Sequence, residues 1–132
     1  MNQQTLAEPK GTIYTIGYQG HSTLEFLSLL TDHGVTLLVD VRTVPFSKFR
    51  DFNRAPLEQK FGSKYHWEGD RLGGKKGHRE VFYNEGLAWL AKEALKQTVC
   101  IMCMENDPDK CHRKKWIGAD LEKMYGLRVV HL

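Results

Sequence analysis

The stretch "TLLVDVR", from Thr36 to Arg42, constrains the fold of this chain more than any other segment. It is a nearly continuous run of aliphatic residues, which is typical of a β-strand that is covered on both faces. Strands of this kind belong to parallel sheets, because their crossover connections place helices on both sides of the sheet. The run therefore predicts a parallel sheet between two layers of helices.

The rest of the chain alternates between strand and helix patterns. Strands that alternate with helices indicate a parallel sheet with helices on both faces. We therefore predict an α/β fold, a single-domain three-layer sandwich with a mainly parallel sheet of about five strands. The further strands are predicted at "TIYTIG", "SKYHW", "TVCIMCM" and "LRVVHL", and further helices at "NRAPLEQKF" and "EGLAWLAKEALKQ".

Local residues specify two helix starts and one loop. Ser22 and Glu25 have the spacing of a capping box, which predicts that a helix begins there. Pro108 suits the first position of a later helix that Asp107 would cap. In contrast, the segment from Glu68 to Asn84 lacks an apolar period, so we predict a long loop.

Length and composition predict one cytoplasmic domain. The chain has 132 residues, and we expect residues 1–11 to be a disordered lead-in and residues 12–132 to form one α/β domain. The polar N-terminus lacks the apolar core of a signal peptide, and no run approaches the ~18 apolar residues of a membrane span. The three cysteines are clustered and odd in number, which fits free thiols in a reducing compartment. No membrane partner is expected.

The net charge of +3 is unevenly distributed. The segment from Arg42 to Arg54 has four basic residues and one acid, and the segment from Arg71 to Arg79 has four basic residues and no acid. Such patches favour anions, so nucleic acid or a phosphate-containing small molecule is the expected partner. A solvated basic surface is the alternative.

The first of these segments also interleaves aromatic and basic residues. In "PFSKFRDFNR", three phenylalanines alternate with Lys48 and two arginines. Single-stranded nucleic acid is held in this way, with basic groups on the phosphates and rings on the bases. In the alternative interpretation, the phenylalanines anchor the loop to the core, and this alternative is favoured for Phe49 and Phe52.

The polar segments that follow the strands are expected to meet. Right-handed crossovers place every βα turn of a parallel sheet at one edge, where ligands bind outside the carboxyl ends of the strands. We therefore predict a polar anion-binding pocket at that edge. The turns that would form it are "GYQGHS", "DVRTVPFSKFRDFN" and "CMENDPDKCHR".

Reactive side chains are expected where the last helix begins. The helix dipole and the neighbouring His112 and Arg113 would lower the pKa of the Cys111 thiol and favour the thiolate. Cys111, His112 and Glu105 are therefore candidate catalytic residues, and His21 is a candidate proton donor. A buried structural cysteine is the alternative interpretation of Cys111.

The pair Cys100 and Cys103 has the spacing of zinc and redox motifs, but it lies within a predicted strand. Residues three apart on a strand face opposite sides of the sheet, so this pair is not expected to chelate one metal ion. We interpret both cysteines as small apolar residues of the core.

Asp40 and Arg42 lie two residues apart at the end of a buried strand, so they point the same way. A charged residue at this position is costly unless it is paired. Either the two form an internal salt bridge that orders the loop, or Arg42 faces the pocket and Asp40 orients it. The predicted substrate- or anion-binding residues are Tyr18, Ser22, Asp40, Arg42, Lys48 and Arg113.

Four blocks of the sequence, taken together, resemble one family. They are "TIGYQGHS", "LLVDVRTVPFSKFRDFN", "CMENDPDKCHR" and "VVHL", and the likeness extends from Thr12 to Leu132. In these blocks the chain is similar to the domain of unknown function 488 family. The resemblance implies a small cytosolic α/β domain and work connected to nucleic acid or its repair. It adds Ser47 to the anion-binding residues, and it supplies no activity.

The sequence leaves two main functions open. The first is an enzyme that acts on a phosphate-containing or nucleic-acid substrate, and the second is a non-catalytic nucleic-acid-binding module. A rhodanese-like or phosphatase-like thiol enzyme is less favoured, because the Cys-x5-Arg loop is absent and "MENDPD" carries three acids. No cofactor or metal ligand is predicted. A metal site would draw on Cys103, Glu105, Cys111, His112 or His131, whose spacing matches no closed site.

Overall fold

The structure is a computed structural model that describes residues 11–73, 80–105, 107 and 111–132. For residues 80, 81 and 112–114 it describes the backbone alone. Residues 1–10, which belong to the predicted lead-in, lie outside the described residues.

The five strands form one parallel sheet with the order β3-β2-β4-β1-β5. The register aligns Gly17 of β1 with Cys103 and Asp40 of β2 with Met102, so three central strands end at nearly the same level. This confirms the predicted sheet. The strands are β1 (Thr12–Gly17), β2 (Leu37–Asp40), β3 (Tyr65–Trp67), β4 (Val99–Cys103) and β5 (Arg128–His131).

Helices cover both faces of this sheet, which confirms the three-layer α/β sandwich. Leu30 of the first helix and Leu57 of the second pack in one apolar cluster with Leu38 of β2. Leu87 and Ile117, from the last two helices, belong to the cluster on the opposite face. The helices are α1 (Thr23–Asp32), α2 (Arg54–Phe61), α3 (Gly69–Leu72), α4 (Glu80–Lys96) and α5 (His112–Tyr125). None of the helices in the described part of the chain has the length and apolar character that crossing a membrane requires.

The first predicted helix start is confirmed. Ser22 Oγ accepts a hydrogen bond from the Glu25 N–H at 3.1 Å, and Glu25 Oε1 accepts one from the Ser22 N–H at 2.8 Å. The Ser22 hydrogen bonds also lower the pKa of the Glu25 carboxyl, because they stabilise its charged form. The capping box therefore fixes where the β1–α1 turn ends.

The second predicted helix start is wrong. The N–H of Lys115 donates to the Cys111 carbonyl oxygen at 3.0 Å, so Cys111 is the N-cap of α5, which begins at His112. Proline is favoured at a first helical position but does not require a helix there, and Pro108 itself lies outside the described residues. The start is thus four residues later than expected.

The predicted loop from Glu68 to Asn84 is wrong at both ends, since α3 and the first turn of α4 lie within it. Four-residue α3 is too short for an apolar period to appear in the sequence. In α4, the inner face begins with the buried aromatic Tyr83, four residues before Leu87. Residues 74–79 of the predicted loop lie outside the described residues.

Candidate functional site

The turns that follow β1, β2 and β4 lie side by side at the carboxyl edge of the sheet. β4 lies between the other two strands. Hydrogen bonds extend this pairing beyond the strands: the Tyr18 N–H donates to the Cys103 carbonyl oxygen, and the Val41 N–H donates to the Met102 carbonyl oxygen, both at 3.1 Å. The topology therefore brings together the three polar turns that the sequence analysis expected at one edge.

At this edge the chain also changes the face of the sheet on which it runs. β1 and β2 lead into α1 and α2 on one face, whereas β4 leads into α5 on the other. Neighbouring strands whose connections leave to opposite faces create a crevice, and ligands of open α/β sheets bind in such crevices. The carboxyl edge of β1, β2 and β4 is therefore the candidate functional site.

Asp40 and Arg42 form an ion pair that is buried at the end of β2. Asp40 is 0% exposed and Arg42 is 3% exposed. Arg42 Nε donates to Asp40 Oδ1 at 2.8 Å and Arg42 Nη2 donates to Asp40 Oδ2 at 2.6 Å, so the contact is bidentate. The Arg42 backbone N–H and the Tyr65 hydroxyl donate to the same carboxylate. Of the two alternatives for this pair, the internal salt bridge is present.

One donor nitrogen of the Arg42 guanidinium has no acceptor in the part of the chain that the structure describes. Burial lowers the pKa of Arg42, but the hydrogen bonds and charge of Asp40 more than offset this effect, so the pKa is raised. Arg42 Nη1 is buried and has no hydrogen-bond partner among the described residues. The guanidinium carbon lies 5.3 Å from the centre of the Tyr18 ring. The side chain therefore stays charged and can serve one further acceptor at Nη1.

Tyr65 and Trp67, which the sequence analysis did not select, fix this ion pair from β3. Burial and the charge of Asp40 raise the pKa of Tyr65, so its hydroxyl stays protonated and donates a hydrogen bond to Asp40 Oδ2. Trp67 Nε1 donates to the Arg42 carbonyl oxygen at 2.7 Å. The i, i+2 spacing of Tyr65 and Trp67 places both side chains on one face of β3. A strand of three residues is too short for this pattern to be interpreted without the register of the sheet.

A second group of polar and charged residues lies at the end of β3, and the sequence analysis selected only Arg71 of this group, as part of a basic segment. Glu68 is 4% exposed, forms an ion pair with Arg71, and has its Oε1 2.6 Å from His66 Nε2. Gly69, the next residue, lies so close to the end of β2 that a Cβ atom there would overlap the Arg42 carbonyl oxygen. Glycine is thus required where α3 contacts the candidate site.

The β2–α2 segment, residues 41–53, presents aromatic side chains to solvent. Phe46 is 71% exposed and Phe49 is 52% exposed. Lys48 and Arg50 are also exposed, and Lys48 Nζ lies 5.4 Å from the centre of the Phe49 ring. The interpretation of Phe49 as a residue that anchors the loop to the core is therefore wrong, because about half of its side chain is exposed to solvent.

Phe52 and Asn53 hold the far end of the β2–α2 segment. Phe52 is buried and stacks on Tyr18, with ring centres 4.8 Å apart, so it is the anchor that the sequence suggested. Asn53 Oδ1 accepts from the Ser47 N–H at 2.5 Å, and Ser47 Oγ accepts from the Phe49 N–H at 3.0 Å. Ser47 thus shapes the segment internally, and the buried Tyr18 forms part of its base.

A cleft of about 260 Å³ separates the start of α1 from the β2–α2 segment. His21, Ser22 and Thr23 line one side, and residues 49–52 line the other. His21 Nε2 is buried and has no hydrogen-bond partner among the described residues. Thr23 Oγ1 donates to Asp51 Oδ2 at 2.8 Å and ties the two sides together. His21 thus lies on the cleft, and its role as a proton donor stays a prediction.

The predicted thiol Cys111 lies in the core. It is 3% exposed, and its Sγ lies 2.7 Å from the Sγ of the fully buried Cys103. Cys103 Sγ also lies 3.7 Å from the carbonyl oxygen of Glu105. Glu105 itself is partly exposed. The side chains of His112 and Arg113 lie outside the described residues, so their predicted roles stay predictions.

The sheet separates two groups of the predicted residues. Cys103 and Cys111 belong to the apolar cluster on the α4–α5 face. Tyr65, which binds Asp40, belongs to the cluster on the α1–α2 face. Cys100 also lies in that second cluster, so the prediction that Cys100 and Cys103 face opposite sides is confirmed. Within the described ranges, no three His, Cys, Asp or Glu side chains form a group that could hold a metal ion.

Comparison with known proteins identifies one family. The sequence model of the family described as Domain of unknown function DUF488 matches residues 22–89, which is more than half of the chain. This match includes Asp40, Arg42 and the whole β2–α2 segment, and it ends before Cys111. The chain matches no curated protein.

Proposed function

We propose that this chain, which belongs to the family described as Domain of unknown function DUF488, is a cytoplasmic module that binds single-stranded nucleic acid along its β2–α2 segment. The observation that carries this proposal is the exposure of Phe46 and Phe49 beside Lys48 and Arg50. Two solvent-facing rings next to two cations match the requirements of a single strand, whose bases stack while its phosphates need positive charge.

The surroundings support a binding surface rather than a loosely held loop. Phe52 and the Asn53–Ser47 hydrogen bond fix the far end of the segment, and the buried ion pair of Asp40 and Arg42 fixes its beginning. Rings held in this way lose little conformational entropy when a base stacks on them, which favours affinity. The segment is thus suited to present both rings in a defined geometry.

The buried Arg42 supports the proposal from below the segment. Its Nη1 lacks an acceptor among the described residues, and a phosphate oxygen would supply one when the side chains that cover Nη1 move aside. Asp40 already balances the guanidinium charge, so Arg42 would orient a phosphate by hydrogen bonding more than by net attraction. The exposed Lys48 and Arg50 would supply the long-range attraction.

The candidate thiols favour binding over thiol catalysis. Cys111 and Cys103 are both buried and lie against each other. A thiolate that attacks a nucleic acid or another large phosphate ester must be reached by that substrate, and neither sulfur atom is exposed enough for this. Neither residue is therefore assigned to the nucleic-acid surface. A cytoplasmic location agrees with the odd number and clustering of the cysteines in the sequence.

Fluorescence anisotropy with a labelled oligonucleotide of about 12 nucleotides tests this proposal. We expect single strands to bind more tightly than the matching duplex, because duplex bases are not free to stack on the rings. The logarithm of the association constant should fall with the logarithm of salt concentration, with about −1.4 of the slope due to Lys48 and Arg50. Equal affinity for single strands and duplex would contradict stacking.

A charge-matched pair of double variants sharpens this test. Lys48→Ala with Arg50→Ala should make the slope of the logarithm of the association constant against the logarithm of salt concentration less steep by about 1.4. Lys96→Ala with Lys123→Ala removes two exposed charges from the last turns of α4 and α5, remote from the β2–α2 segment, and should leave the slope unchanged. If both variants change the slope equally, binding reflects overall charge and not this segment.

A second candidate function rests on His21. Its buried Nε2 lacks a partner among the described residues, and it lines the cleft that Arg50 also lines, at the N-terminus of α1. A helix N-terminus stabilises negative charge, so the cleft suits a phosphate ester with His21 as general acid. In this alternative the nucleic acid, or a smaller phosphate ester, is a substrate.

The turnover of a chromogenic phosphodiester tests this alternative. If His21 is the general acid, His21→Gln should lower kcat by about 100-fold or more. His33→Gln is the control, because His33 lies exposed at the other end of α1. Activity that His21→Gln leaves intact would remove this candidate without affecting the binding proposal.

A further inference from the structure

Cys103 and Cys111 form a pair of neighbouring thiols in the core, outside the proposed nucleic-acid surface. Their sulfur atoms lie 2.7 Å apart, although seven residues separate them in the chain. Cys103 ends β4, and Cys111 precedes α5. The third cysteine, Cys100, lies in the cluster on the opposite face of the sheet. Only one pairing of the three thiols is thus compatible with the described fold.

The position of Cys111 distinguishes the two thiols chemically. Its carbonyl oxygen accepts the first hydrogen bond of α5, so its side chain lies at the N-terminus of a 14-residue helix. The helix dipole and the N–H groups of that first turn stabilise a thiolate. Cys103 instead ends β4, is fully buried in the core and has its Sγ 3.7 Å from the Glu105 carbonyl oxygen. Cys111 is therefore suited to react first and Cys103 to resolve the product.

We propose that Cys103 and Cys111 form a reversible intramolecular disulfide when hydrogen peroxide is present. The Cys111 thiolate attacks the peroxide oxygen, and the O–O bond breaks to give a sulfenic acid and water. Cys103 then attacks the Cys111 sulfur, the S–O bond breaks, and the Cys103 proton leaves with hydroxide as a second water. The two cysteines lose two electrons and two protons, and the peroxide is reduced to two waters.

This modification does not depend on the proposed nucleic-acid binding. It would close a covalent loop around residues 104–110, between the end of β4 and the start of α5. A small oxidant is required, because both thiols are buried and a bulky disulfide reagent would not reach them. The disulfide would thus form after contact with peroxide. It would lie on the face of the sheet opposite the Asp40–Arg42 pair.

Thiol mapping of the wild-type protein tests this inference. The full chain is treated with hydrogen peroxide, alkylated after denaturation, digested with trypsin and analysed by mass spectrometry. We expect one alkylated cysteine in place of three, a link between the peptide that ends at Lys110 and the peptide that begins at Cys111, and full recovery of three thiols after dithiothreitol. Three alkylated thiols after peroxide treatment would overturn the inference.

A variant removes the remaining ambiguity, because Cys100 and Cys103 fall in the same tryptic peptide. Cys100→Ser should form the same link to the same extent, since Cys100 lies on the other face of the sheet. A link that disappears in Cys100→Ser, or that joins two copies of the chain, would contradict the pairing. If Cys100→Ser fails to fold, fragmentation of the wild-type linked peptide identifies the partner of Cys111 directly.

Discussion

Replacing Asp40 with alanine is expected to lower the free energy of unfolding by about 3–5 kcal/mol, the cost of breaking a buried ion pair from one side. The substitution removes the acceptor for Arg42 Nε, Arg42 Nη2, the Arg42 N–H and the Tyr65 hydroxyl. The guanidinium then remains charged and buried without a partner, which is far more costly than losing one hydrogen bond. Urea denaturation followed by far-UV circular dichroism measures the effect.

Two further variants test whether burial is the cause. Glu58→Ala breaks an ion pair with Arg54 in which both side chains are about half exposed, so it should cost only about 0.3–0.5 kcal/mol. Tyr65→Phe removes one donor and leaves the carboxylate paired, so it should cost about 1–2 kcal/mol. If Asp40→Ala costs no more than Glu58→Ala, Asp40 and Arg42 do not form the buried pair described above.

The double substitution of Phe46 and Phe49 by alanine is expected to weaken binding of a single-stranded oligonucleotide by at least about 30-fold. Stacking of a base on an aromatic side chain contributes about 1–3 kcal/mol, and two rings are removed. Both rings are exposed, so their removal should leave the free energy of unfolding almost unchanged. Fluorescence anisotropy gives the affinity, and urea denaturation gives the stability.

The control for this variant is Leu95→Ala. Leu95 is 67% exposed, near the end of α4 and remote from the β2–α2 segment. It should change neither affinity nor stability. A loss of affinity equal to that of the phenylalanine variant would show that any exposed apolar side chain contributes. An affinity that survives the loss of both rings would exclude base stacking at this segment.

The strands and their common edge are predictable because they depend on short-range patterns. The aliphatic run before Arg42 specifies a strand covered on both faces, and the alternation along β4 places Cys100 and Cys103 on opposite faces. The Ser22 capping box is equally local. Each of these features is decided by residues within a few positions of one another, so one sequence is enough to identify it.

The contacts that build the site depend on residues far apart in the chain. Tyr65 reaches Asp40 across 25 residues, and Cys111 meets Cys103 across the connection between β4 and α5. Aromatic composition alone also does not separate the buried Phe52 from the exposed Phe49. These distinctions require the register of the sheet and the path of each turn, which no local pattern encodes.

The most direct test of nucleic-acid binding by the β2–α2 segment is ultraviolet crosslinking of the wild-type protein to a bromouridine-containing single strand. The crosslinked peptides are then identified by mass spectrometry. We expect crosslinks on the tryptic peptides that carry Phe46 and Phe49, and an excess of unlabelled single strand should abolish them. Crosslinks confined to other elements, or none at an oligonucleotide concentration that saturates binding, would contradict the proposed function.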